Sequence, residues 1–152
     1  MHQLNILVNN YHFRFRQIFN EILKVFANIF NYSKPLVVDL LITNDQQMRT
    51  ISKTTRNLDK TTDVLSFPFA WNCADWPFIH LGEIILSYQQ IQHQARLFNH
   101  TVKREFCFLF AHGLVHLAGL DHKDPSEEAK FNQFVYNIMK AVDVGRETKI
   151  KC

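Results

Sequence analysis

Cysteine is scarce in this chain of 152 residues: three, at positions 73, 107 and 152, an odd number at wide spacings. That excludes a disulfide framework and a paired zinc knuckle, and it fits a reducing compartment. Cys107 falls in an apolar helical run and reads as a small buried hydrophobe, whereas Cys152 belongs to a loose tail. Long hydrophobic runs are also missing, so no segment has the length needed to span a bilayer. The first residues, Met-His-Gln-Leu-Asn-Ile-Leu-Val, lack the basic start and apolar stretch of a signal peptide, and a cytoplasmic protein is expected. No internal repeat, low-complexity stretch or interdomain linker interrupts the chain. Charge of one sign is nearly balanced: the net value of +3 permits a polyanionic partner without demanding one.

What is present is 47% hydrophobic and 20% charged, the make-up of one globular domain with its own core. A chain of this size buries enough surface to fold without a metal, so a metal found here would serve chemistry. The expected domain is 1–144, followed by a flexible tail over 145–152.

Hydrophobic periodicity predicts the elements. Gln3 to Val8 reads as a strand, and Phe13 to Phe30 as a helix whose stripe of Phe15, Ile18, Phe19, Ile22, Phe26 and Ile29 is core. Leu36 to Ile42, short and β-branched, suits a strand covered on both faces. Thr43 with Gln46 forms a capping box for a helix to about Thr55. Strands follow at Val64 to Phe67 and Leu81 to Ser87, then a helix from Tyr88 to Leu97. A longer helix runs from Thr101 to a stop at Gly119, and Asp124, Pro125 and Glu127 open a last helix to about Val142. The fold class expected is α+β, a small mixed four-stranded sheet packed with about five helices.

Residues 112 to 122 read His-Gly-Leu-Val-His-Leu-Ala-Gly-Leu-Asp-His. His112 and His116 are one helical turn apart on one face, so their imidazoles can converge on one ion. Gly119 turns the chain and lets His122 swing back as a third nitrogen ligand. With eight histidines, a shuffled chain would reproduce the +4 and +10 spacings on the order of two times in a hundred, before the glycine is counted. Neutral imidazoles favour one Zn²⁺ per chain, and three protein nitrogens leave a fourth position for water, the mark of a catalytic site. Nickel, copper or iron could occupy the same ligands in vitro.

The spacing matches the His-Glu-x-x-His-x-x-Gly-x-x-His run of metzincin peptidases, whose glutamate activates water. Here that position is Gly113, so the peptidase's base is missing. A glycine in mid-helix costs about 1 kcal/mol against alanine, which points to close packing or substrate access.

Upstream stand Arg56, the run Thr62-Asp63-Val64-Leu65-Ser66-Phe67-Pro68 and, later, Leu81-Gly82-Glu83-Ile84. Together with the histidine run these resemble the YbeY family of bacterial endoribonucleases, also called rRNA maturation factors, from about Leu40 to Phe134. The resemblance implies an α+β fold and a single-strand-specific, zinc-dependent endoribonuclease. It further implies a role in 16S rRNA 3′-end maturation and ribosome quality control, with RNA precursors and ribosomal particles or proteins as partners. It places the metal on His112, His116 and His122 and an active-site arginine at Arg56. Val115, Leu120, Thr55 and Ser52 depart from the family's usual leucine, tyrosine, tyrosine and asparagine, and none of them is a ligand.

An arginine suits phosphodiester chemistry because its planar fork grips two phosphate oxygens. Lys53 and Lys60 flank Arg56 and either extend a basic rim along the RNA backbone or are solvated surface. Asp63 and Asp121 either orient a ligand histidine or cap their own turns. His2, His12, His80, His93 and His100 lack ligand spacing and read as surface or ordinary core residues. Trp71 and Trp76 are expected to be buried against the core, with base stacking as the other use. Two other functions fit the same ligands: a zinc peptidase or amidohydrolase with Glu83 as base, and a non-catalytic ribosome assembly factor whose zinc staples the last two helices.

Overall fold

The computed structural model describes residues 2–56 and 62–142. Lys60 and the expected tail over 145–152 lie outside them. The described chain runs β1 (Gln3–Val8), α1 (Arg16–Ile29), β2 (Leu36–Thr43), α2 (Asp45–Arg56), β3 (Val64–Pro68), β4 (Ile79–Ser87), α3 (Tyr88–Leu97), α4 (Val102–Leu117) and α5 (Pro125–Ala141). The strands form one sheet in the order β1-β2-β4-β3. β1, β2 and β4 are mutually parallel, and β3 joins the edge antiparallel to β4. This is the mixed four-stranded sheet with five helices that the alternation of periods predicts.

Alternation within β2 divides the molecule into two sides. Leu36, Val38, Leu40 and Ile42 are all but fully buried and belong to the main core, shared with α1, α3, α4 and α5. On the other face Leu41 joins a smaller cluster, Met48 and Ile51 of α2 with Leu65, Phe67 and Ile85. The strand is thus covered on both faces at its C-terminal half only, and Asp39 sits on the uncovered part.

Local chemistry sets the helix ends. Ser87, Thr101 and Asp124 accept backbone N–H groups at the starts of α3, α4 and α5. The cap of α2 falls one residue later than the sequence suggests: Asn44 Oδ1 accepts from Gln47 N at 2.8 Å. Thr43 is unavailable because it stays in the ladder, paired with Ser87. Three helices close on a residue with positive φ, Asn31, Asn99 and Gly119, each donating back to the carbonyl three residues earlier. In each case the next N–H reaches a carbonyl five residues back, which satisfies a second terminal acceptor.

Trp71 departs from expectation: it is 80% exposed on the β3–β4 loop. Trp76 is half-buried in a local aromatic stack with Phe69 and Phe78 rather than in the core. The core's aromatic content comes from phenylalanine instead, as in the parallel stack of Phe19 on Phe110 at 4.2 Å.

One buried group in this core is ionisable. Glu105, on the first turn of α4, is 3% exposed, and its Oε1 lies 3.0 Å from His100 Nε2. Burial pushes its carboxyl up to about 7; nearby Asp63 adds to the rise and Arg104 opposes it. Because the folded value lies above the ordinary 4.5, the group's contribution to stability is complete below about 4.5 and is lost as pH rises through about 7. Glu105→Gln has no such loss. Relative to wild type it gains unfolding free energy between about pH 4.5 and pH 8 in urea titrations. A difference that stays constant with pH would show that this carboxyl titrates normally.

Candidate metal centre and groove

α4 is the central helix of the molecule, in contact with α1, α3, α5, β3 and β4. From Glu105 to Leu117 every residue is buried except Phe108, His112 and His116. Those three are spaced by four and form a single line along the helix. The packing is close at Gly113, where a Cβ would stand 3.0 to 3.2 Å from three side-chain atoms of Ile84 on β4. The helix therefore needs glycine for close approach to the sheet, and His112 beside it is carried to a fixed place on the opposite side.

Gly119, at φ +99°, then reverses the chain. His122 returns to His116, with the two Nε2 atoms 3.2 Å apart. One ligand atom from each of His112, His116 and His122 lies within 4.8 Å of the others. Three ring nitrogens this close together could hold one metal ion. Burial holds the His112 imidazole down to about 4, with His116 and His122 adding to the effect. His112 is thus neutral at physiological pH and offers a lone pair, the form a metal requires.

Beneath the imidazoles lies Phe131 of α5, fully buried, its ring centroid 4.7 Å from His112, 4.7 Å from His116 and 5.1 Å from His122. This phenyl floor was not singled out from the sequence, where it appears only as one apolar position of the last helix. Asp121 Oδ1 accepts the backbone N–H of His122 at 2.8 Å, which draws its carboxyl below the usual range and fixes the loop at the third histidine. Its other oxygen stands 3.7 Å from Lys123 Nζ.

The histidines face a cavity of about 480 Å³ lined also by Thr62, Asp63, Val64, Ser66, Pro68 and Asp121. One wall is the α4-facing side of β3, where Val64, Ser66 and Pro68 alternate with Leu65 and Phe67 of the opposite face. Asp63 is held by its carbonyl, which accepts from Ser87 N at 3.0 Å. The Thr62-to-Pro68 run and the histidine run, 40 or more residues apart in sequence, therefore build the same cavity.

The family model described as Endoribonuclease YbeY matches residues 4–143 of this chain. The chain belongs to the YbeY family. A YbeY endoribonuclease from Mycoplasmopsis pulmonis is 43% identical over 142 residues, covering 91% of this chain and 94% of that protein. One from Mycoplasma mobile is 42% identical over 139 residues, with 90% and 91% covered. The solution structure of TM1509 from Thermotoga maritima superposes with a TM-score of 0.58 at 21% identity, covering 91% of both chains, a likeness of fold.

The other sequence-predicted positions of this YbeY chain are distributed as follows. Arg56 is the last residue of α2, six positions before Thr62 of the cavity wall. Lys53 is exposed one turn earlier on the same helix. Neither the peptidase-like base nor its alternative finds a place: position 113 is packed on Ile84, and Glu83, next to Ile84 on β4, points to the opposite face of the sheet. There it is grouped with Asp39 and His80, which are 2.9 Å apart. Burial, then Asp39, raises the Glu83 carboxyl, while His80 lowers it. His2 accepts from Leu36 N, His100 pairs with Glu105, and His12 and His93 are exposed, so all four serve structure or surface.

The close approach at Gly113 is directly measurable. In an ordinary helix Gly→Ala stabilises by about 1 kcal/mol. Here the extra methyl meets a buried isoleucine, an overpacking cost of about 1–3 kcal/mol. Gly113→Ala is expected to lower the unfolding free energy in denaturant titrations, and to lower it less in an Ile84→Val background. A net gain in the single variant would mean that the helix stands further from the strand than this contact requires.

Proposed function

We propose that this chain is a single-strand-specific, zinc-dependent endoribonuclease. Its substrate is ribosomal RNA precursor, its process 16S rRNA 3′-end maturation and ribosome quality control, and its place the cytoplasm, in contact with ribosomal particles or ribosomal proteins. The observation that carries the reading is the convergence of His112, His116 and His122 on one wall of a groove in a chain of the YbeY family. In this reading residues 1–144 are one catalytic domain and 145–152 a tail.

The three imidazoles hold one ion, and Asp121 keeps His122 in place through its backbone N–H. Bound zinc supplies positive charge that acidifies water and offsets the charge growing on phosphate oxygens. Arg56 grips the phosphate through its planar fork, the second source of positive charge. Lys53 and Lys60 continue that charge along the RNA backbone. Asp63, in the cavity wall beside the histidines, orients a ligand imidazole.

The test is made on purified variants and in cells. His116→Ala is expected to lose stoichiometric zinc and to cut single-stranded RNA at least about a hundredfold more slowly. Arg56→Glu keeps its zinc and loses turnover by a similar factor. In cells lacking the protein, end-mapping shows 16S precursors with unprocessed 3′ ends. A His116→Ala protein free of metal and fully active would sink the proposal, and normal cleavage by Arg56→Glu would return that residue to the solvated surface.

A further inference from the structure

The line of unburied residues on α4 does not end at the histidines. One turn before His112 stands Phe108, 36% exposed, its ring centroid 6.2 Å from that of His112. One turn earlier again is Arg104, half-buried, at the same angular position. Every other apolar side chain of the helix between Glu105 and Leu117 is buried, so the packing of α4 gives no reason for a phenyl group on this stripe. A single exposed phenylalanine is commonplace on a protein surface. One that continues a row of candidate metal ligands along the helix is not explained by that base rate.

The direction of the row is set by the sheet. Pro68 lies near Leu117, because both approach the Cβ position of Gly82. At the other end Asp63 lies near Glu105, whose carboxyl it influences. β3 therefore runs parallel to α4, and Phe108 flanks the end of the groove where Thr62 and Asp63 form the wall.

We infer that Phe108 is a stacking platform for one nucleobase of a single-stranded RNA, at the position adjoining the phosphate presented to the histidines. This rests on the endoribonuclease reading above and deepens it. A phenyl face accepts any base, so the subsite contributes affinity without sequence preference. It accepts only a base freed from its own stack. A duplex, whose bases are already stacked and paired, cannot use it without melting. Preference for single strands then follows from an exposed ring rather than from the shape of the metal cage.

The experiment compares two fluorescein-labelled probes of equal length on the zinc-loaded protein: a single-stranded oligoribonucleotide, and the same sugar-phosphate chain made wholly abasic. Phe108→Leu is expected to bind the base-bearing strand about tenfold more weakly and the abasic strand as wild type does, with zinc content unchanged. Phe108→Trp restores or exceeds wild-type binding of the base-bearing strand. Equal affinity of wild type and Phe108→Leu for the base-bearing strand would overturn the inference, as would equal losses on both probes. If wild-type protein neither binds nor cuts RNA, the endoribonuclease reading falls and the subsite with it. If it cuts RNA and Phe108→Leu cuts and binds identically, the subsite alone is lost.

Discussion

The whole arrangement depends on one contact, the missing side chain of Gly113 against Ile84. At that point the backbone of the central helix lies directly on the Ile84 side chain, with no side chain of its own between them. A helix pressed so closely and surrounded by α1, α3 and α5 has one direction left in which to expose anything, and the histidines occupy it. The same contact removes the position a peptidase would need for its base. Absence of a side chain thus decides both how near the helix comes and which water-activating group it cannot carry.

Much of this was legible beforehand, and the reasons are local. The histidine spacing maps onto a helix and a glycine turn through fixed geometry, so three nitrogens meeting was foreseeable from His112, His116, Gly119 and His122 alone. Strand and helix order followed from period, because each element has one clearly apolar face. The cap of α2 lies one residue past Thr43, because that threonine is engaged in strand pairing with Ser87. Trp71 is exposed for a related reason: a tryptophan's average burial says nothing about a loop most of whose other residues are exposed too. Phe131 and Glu105 could not be read at all, because their meaning lies in contacts with residues of other elements. No periodicity marks the phenylalanine that will lie under three imidazoles.

That phenyl floor gives the site its character. Phe131 helps to bury the His112 imidazole, and burial, with His116 and His122 close by, disfavours its cation. Asp121 fixes the loop through the backbone N–H of His122 while its charge also faces the His116 and His122 rings.

The place of β3 in the sheet carries a last consequence. It is the outermost strand, paired on one side only, and it forms a wall of the histidine groove. A trough bounded by an edge strand is one strand thick on that flank, with no further sheet beside it among the described residues. A long polymer can be laid into such a trough sideways, by its middle, without a free terminus being threaded through a tunnel. The position of a single short strand thereby favours scission within a chain over nibbling from its end.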